Sequence, residues 1–293
     1  MYVNIDIKKH VKHIVFIVAL SILVIGAAIA SINMTFNSTD SPLTDSVELP
    51  IIMYHGIIKE QKLQGRFVIS PNTFESDLKY LKENGFNTIF VQDLIDYVYN
   101  NKPLPEKPIM ITFDDGYYNN YLYAFPLVKK YNSKMVLSPI GYFTDKYSEI
   151  PDTHASYAHV TWDNINEMVD SGLVEIQNHS YNLHSNKKSR KGAQKIKSES
   201  VEHYKNVLEK DLSTMQDKAL KYTGKAPTAF VYPFGAVSEI SLDILKQMGF
   251  KSTLICESRI NHITKDPKCL YNLGRYIRTN KPSSPEFFGK IIK

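Results

Sequence analysis

The sequence predicts an α/β protein: an irregular barrel of seven or eight β/α units, preceded by one N-terminal transmembrane helix. From Pro50 onward short apolar runs rich in β-formers alternate with helical stretches, which points to a parallel sheet. Seven or eight such units in roughly 240 residues suit a barrel better than an open sheet. Ahead of them, Lys8, Lys9 and Lys12 precede Ile14 to Ile32, a stretch with no charged residue. That stretch is long enough to cross a bilayer as a helix, which takes roughly 20 residues.

Taken in order, residues 1–33 read as a cytoplasmic tip and signal-anchor. The basic residues lie before the apolar stretch and Asp40 after it, which orients the amino terminus to the cytoplasm. Ala28-Ile29-Ala30 also resembles a cleavage site, so the same segment reads alternatively as a secretory signal. Either way the remainder is exported. The expected location is the cell membrane, single-pass, with the working domain on the extracellular face, or secretion if the segment is cleaved. Residues 34–49 are polar and turn-rich and read as an extracellular linker, with a formal glycosylation sequon at Asn37-Ser38-Thr39. Residues 50–293 form the working domain.

Within that domain Ile51 to Tyr54 is a first strand. Ser70-Pro71 opens a helix that Gly85 ends. Asn87 to Val91 is a second strand, followed by a helix around Leu94 to Tyr99. Pro108 to Phe113 is an unbroken apolar run, a buried third strand that delivers Asp114, Asp115 and Gly116. A helix spans Tyr121 to Tyr131, and Lys134 to Ser138 is the fourth strand. Trp162 to Ser171 is helical, and Leu173 to Gln177 is a fifth strand ending at Asn178-His179. A polar, then helical, stretch runs to about Tyr222. Thr228 to Tyr232 is the sixth strand, Ile240 to Met248 a helix, Ser252 to Ile255 the seventh strand, and Leu273 to Ile277 a last short one.

Composition sets bounds. A hydrophobic fraction of 43% and a charged fraction of 22% are those of an ordinary globular protein, and a net charge of +5 is mild. No basic-aromatic pattern suggests a nucleic-acid module. Cys256 and Cys269 fit neither a disulfide scaffold nor a Cys-based zinc site, though the two could form one bridge. The run Asn186 to Ser200 carries Lys187, Lys188, Arg190, Lys191, Lys195 and Lys197. It reads as a solvated loop, or as a patch that attracts an anionic polymer or lipid headgroups.

Barrels carry their chemistry at the C-terminal ends of the strands. Those ends bring Tyr54-His55, Asp114-Asp115, His179 with His184, and Tyr232-Pro233-Phe234-Gly235. The adjacent carboxylates read either as caps of a strand-to-helix turn or as groups for metal binding and proton chemistry. Two histidines and a carboxylate are the ligand set of a mononuclear site with open positions. His179 and His184 are too widely spaced to share a helix face, but a loop lets both imidazoles converge. The plainer reading is chance proximity of two histidines. His55 reads as a core histidine at the edge of the site, and Asn182 as a side chain that bonds within the metal loop and steadies His184.

The combination Thr-Phe-Asp-Asp-Gly at 112–116, His-Ser-x-x-x-His at 179–184 and Tyr-Pro-Phe-Gly at 232–235 resembles the polysaccharide deacetylases, carbohydrate esterase family 4 with its NodB-type domain. Tyr54-His55-Gly56 and Trp162 also resemble the family, and the resemblance covers roughly Pro50 to Ile277. The histidine spacing resembles the branch that acts on poly-N-acetylglucosamine. The resemblance implies an irregular NodB-type barrel and metal-dependent removal of acetyl groups from N-acetylglucosamine in an extracellular or cell-wall polysaccharide. It implies Asp115, His179 and His184 as ligands of a divalent metal, zinc foremost, with cobalt, nickel and iron compatible. Asp114 is then the general base, the Phe234 backbone N–H an oxyanion donor, and Tyr232, Pro233 and Phe234 the sugar-groove residues.

Three family features lack their usual residues, among them the late Asp-Trp element, absent because the only tryptophan is Trp162. Val231 stands where an arginine normally orients the base, and Arg275 is the candidate substitute. The late Leu-x-His that supplies a general acid has no clean match, and His262 is the candidate in that part of the chain. The missing acid motif keeps open a catalytically impaired glycan-binding module on the same fold. A cyclic-amide hydrolase on the same barrel is the third reading, disfavoured by export. The expected partners are an N-acetylated glycan and, through the first segment, the membrane.

Overall fold

The computed structural model describes residues 46–186 and 190–292. The apolar stretch Ile14 to Ile32, residues 34–45 of the linker with their sequon, and Lys187 and Lys188 lie outside the described residues. Among the described residues no helix is long and apolar enough to cross a membrane.

The strands and helices run in order as β1 (Val47–Leu49), β2 (Ile51–Tyr54), β3 (Gly56–Ile57), β4 (Val68–Ile69), α1 (Pro71–Glu83), β5 (Asn87–Thr88), α2 (Val91–Asn100), β6 (Pro108–Asp115), α3 (Phe125–Tyr131), β7 (Met135–Pro139), α4 (Gly141–Glu149), α5 (Trp162–Asp170), β8 (Val174–Ile176), α6 (Val201–Thr223), β9 (Ala229–Val231), α7 (Ser241–Gln247), β10 (Ser252–Leu254), β11 (Asn261–Ile263), β12 (Tyr276–Ile277) and α8 (Ser284–Phe288). A π-helical turn, Asn120–Ala124, leads into α3.

Parallel pairing joins β12, β2, β6, β7 and β8 in that order, and β9 pairs in parallel with β10. Two single bridges close the ring, Asn178 with Phe230 and Leu254 with Leu273. The result is a seven-stranded barrel that is irregular at its two seams. Short β5 lies beside the start of β6.

The central strand β6 is buried along its whole length, which is why its sequence is a run of apolar residues rather than an alternation. Its pleat still sorts the residues. Ile109, Ile111 and Phe113 join one apolar cluster with helices α1, α3 and α5, while Met110 joins another with Ile51, Val136, Val231 and Leu254. Thr112 and Asp114 continue the face of Met110, so the base candidate rises from the barrel's own interior.

Several expectations shift here. Residues 47–49, placed in the linker, form β1 and pair antiparallel with β11, because Val47 and Leu49 carry an alternating apolar face. The second strand stops at Thr88. Val91 instead opens α2, since the Glu175 carboxylate accepts its amide hydrogen at 2.8 Å and that of Gln92 at 3.1 Å. Helices α4 and α8 and strand β11 stand where no element was expected.

Candidate active site

The C-terminal ends of the barrel strands open into a cleft of about 530 Å³. His55, Asp114, Asp115, His179, His184 and Phe234 line it, with Arg66, Phe67, Tyr117, Lys191 and Cys256 on its walls and rim.

Adjacent strand residues point to opposite faces, yet both aspartates reach this cleft. Backbone conformation resolves the conflict: Asp115 adopts φ 69°, a left-handed geometry that re-aims its side chain. Gly116 follows at φ 71°, where a Cβ would stand 2.6 Å from Pro139 Cβ, so only glycine fits. Ser180 and Phe234 also have positive φ, 69° and 59°. Each such residue costs on the order of 1–2 kcal/mol, and three around one cleft mark backbone held for a purpose.

Asp114 is buried, and both its oxygens are held by Arg275, Nη1 to Oδ1 at 2.7 Å and Nη2 to Oδ2 at 2.8 Å. Arg275 is itself fully buried and is aimed by further bonds, Nε to the Ile255 carbonyl at 3.0 Å and Nη1 to Thr112 Oγ1 at 3.2 Å. Burial pushes the Asp114 carboxyl up, but the Arg275 charge, with His179 behind it, outweighs burial and holds it below the usual range.

Asp115, His179 and His184 each aim one ligand atom at a common point. Asp115 Oδ1 lies 3.5 Å from His179 Nε2 and 3.2 Å from His184 Nε2. It is also buried without a hydrogen-bond partner. Ligand bonds of about 2.0–2.1 Å in a tetrahedral site put neighbouring donors about 3.3 Å apart, so the three residues fit a divalent cation. His179 Nδ1 meets the Val231 carbonyl at 2.7 Å, which turns Nε2 toward Asp115. His184 is pushed down to about 4 by burial first and then by the His179 charge, which favours the neutral, ligating imidazole. The Tyr117 hydroxyl is pushed up to about 12, by burial first and then by the Asp115 carboxylate.

The loop between the histidines is fastened from α6. Asp211 accepts the amide hydrogens of Tyr181 and Asn182, both at 2.8 Å, and Asn178 Oδ1 accepts that of Ser180 at 2.9 Å. The Asn182 side chain was expected to steady His184, but Asn182 is exposed and contributes its backbone instead. No local pattern announces Asp211, because it lies on a helix distant in sequence.

Three other expectations are corrected. Tyr232 was assigned to the sugar groove, but its ring is fully buried and its hydroxyl meets Ser241 Oγ at 2.7 Å, because the β9 pleat turns it to the helices. Pro233 is buried as well, which leaves Phe234, with its ring centroid 4.4 Å from that of His184, as the residue of this motif that faces the cleft. His262 is exposed on β11 opposite Glu48 of β1, and β1 leads into the start of β2. It therefore sits at the end of the barrel away from the cleft. In the cleft itself the structure places His55, whose Nδ1 is buried without a partner. Cys256 and Cys269 are free thiols.

A family profile described as polysaccharide deacetylase matches residues 101–253. The poly-beta-1,6-N-acetyl-D-glucosamine N-deacetylase of Escherichia coli (strain K12) is 24% identical over 82% of this chain. The chain spans 38% of the length of that relative. The enzyme of the same name from Staphylococcus epidermidis is 23% identical, over 81% of this chain and 83% of the relative. Among solved structures, a de-N-acetylase of Aggregatibacter actinomycetemcomitans superposes with a TM-score of 0.69 at 29% identity, covering 80% of this chain and 97% of that one.

Proposed function

We propose that this chain, which belongs to the polysaccharide deacetylase family, removes acetyl groups from N-acetylglucosamine residues of a polysaccharide by hydrolysing the acetamide. The observation that carries the reading is the buried, unpartnered Asp115 Oδ1 facing two histidines beside an arginine-clamped Asp114. The names of the E. coli and S. epidermidis relatives point to a poly-N-acetylglucosamine backbone as the glycan.

Asp115, His179 and His184 are the residues that would hold a divalent cation, for which zinc, cobalt, nickel and iron suit the donor set. Such an ion, when bound, would supply polarisation of the acetyl carbonyl and a more acidic water. Asp114 takes the proton of the attacking water, and Arg275 keeps it ionised and aimed. The Phe234 N–H donates to the oxygen on which charge develops, and the exposed ring screens the site from one side. His55 lines the cleft with an unpartnered buried Nδ1, and since burial holds its imidazole toward the neutral form it relays to the leaving amine the proton that Asp114 takes up rather than storing one of its own. The uncharged apolar stretch Ile14 to Ile32 supports an exported location for the domain.

The test is acetate release from N-acetylglucosamine oligomers by the purified full chain, with metal content measured alongside. A chelator abolishes release, Asp115→Ala loses both metal and activity, and Asp114→Asn and His55→Ala keep metal but lose turnover. Release that survives both chelator and Asp114→Asn would overturn the reading. Glycan binding without acetate release at any metal loading would establish a binding module instead.

A further inference from the structure

Outside the reacting groups, the two walls of the cleft share a design. On the wall beside His55, Phe67 is 49% exposed, its ring meets His55 edge-on at 5.0 Å, and the Arg66 guanidinium lies 5.3 Å from the Phe67 centroid. On the wall beside His184, Phe234 is 37% exposed and Lys191 lines the cleft next to it. Lys191 is placed there by Gly192, where a Cβ would stand 2.7 Å from the Pro233 carbonyl and 3.2 Å from the Phe234 ring. Strands β2 and β9, from whose ends these walls rise, lie across the barrel from one another. Each wall thus offers an exposed aromatic face with a cation next to it.

The cations have no acid of their own. Arg190 and Arg259 are paired with Glu199 and Glu257, but Arg66 and Lys191 have no carboxylate partner among the described residues. The carboxylates that line the cleft among the described residues are Asp114 and Asp115. Arg275 neutralises the first, and the proposed cation neutralises the second. What remains to meet a bound strand is positive charge.

We infer that the cleft selects N-acetylated glycan that carries negative charge, a carboxylate or phosphate substituent on a sugar flanking the reacting one, and disfavours strands that carry free amines. The inference rests on the deacetylase reading for its substrate backbone. The sugar rings lie against Phe67 and Phe234, and Arg66 and Lys191 meet the acidic substituents. Because both cations are exposed, the preference weakens as salt rises.

One set of oligomers of a single N-acetylglucosamine backbone tests this: unmodified, succinylated, phosphorylated, and partly deacetylated. The expected kcat/KM for the succinylated or phosphorylated oligomer exceeds the neutral one by about tenfold at low salt, with the deacetylated oligomer lowest. The two acidic forms also tell carboxylate from phosphate recognition. In Arg66→Gln/Lys191→Gln the acidic-to-neutral ratio falls toward one. An order that is absent in the wild type, or unchanged in the double variant, overturns the inference. If no oligomer releases acetate, the deacetylase reading fails separately, and calorimetric binding to the zinc-loaded chain still decides the charge preference by the same order.

Discussion

Asp114 is buried, and a buried carboxylate keeps its charge only against a partner. Arg275 supplies that partner with two parallel bonds, a geometry that one ammonium cannot reproduce. Arg275→Lys should therefore leave metal content unchanged and lower kcat about 100-fold, the scale of a misplaced reacting group. Loss of metal along with activity would show that Arg275 supports the surroundings of Asp115 rather than aiming the base. This residue was legible as a candidate because Val231 leaves a gap that a cation has to fill. Val231 faces the core and gives its carbonyl to His179, while Arg275 reaches the Asp114 carboxylate from just ahead of β12, with β10 between the two segments in the ring. Backbone geometry was not legible at this scale. Nothing in the identity of Asp115, Ser180 or Phe234 announces a positive φ, since each is stable only because surrounding packing over-determines it.

The unit that presents His184 is a loop stretched between β8 and α6. Its amides at Tyr181 and Asn182 point to Asp211 rather than to one another, so α6 acts as the loop's outer support. Asp211→Ala should raise the zinc dissociation constant about 10- to 100-fold, the usual cost of losing an outer support of a ligand, with only part of the affinity returning in Asp211→Asn, whose single acceptor oxygen can serve one of the two amides. Equal zinc affinity in wild type and Asp211→Ala would remove the helix from the account of the site. Elements of this kind divide by how local their causes are. Helix α1 was readable from Ser70 and Pro71, and Ser70 Oγ does accept the Thr73 amide hydrogen at 3.0 Å. Strand β6 was readable from its apolar run. Strands β9 and β10 were placed within a residue or two, since strand ends blur where pairing stops. The start of α2 was not readable, because the carboxylate that caps it belongs to Glu175 on another strand.

At the scale of the whole molecule, repeated β/α units announced the parallel core but not how it closes. Closure depends on single bridges and on side chains that cross between distant segments, neither of which leaves a periodic trace. The most buried of these crossings joins the two ends of the domain. Arg278, just past β12, binds Asp77 of α1 through Nε at 2.8 Å and Nη2 at 2.9 Å, and both side chains are fully buried. Tyr54 at the end of β2 and Ser284 at the start of α8 also donate to Asp77, at 3.0 and 2.7 Å. Arg278 donates on to the carbonyls of Thr279 and Pro282 and so fixes the terminal turn. Burial pushes the Asp77 carboxyl up, against Arg278, Ser284 and Tyr54, so the carboxylate depends on its partners. Arg278→Met keeps the volume but removes the cation, leaving Asp77 buried and unpaired, which costs about 3–5 kcal/mol. Against a typical total of about 5–15 kcal/mol that is a large share of the stability. Asp77→Asn/Arg278→Met no longer buries an unpaired charge and should cost less than Arg278→Met alone, a non-additivity that urea melts of the wild type, both single variants and the double variant resolve. Additive losses in that cycle would mean that the two residues act separately. A strong coupling would mean that β12, and Arg275 beside it, is held in register by this pair.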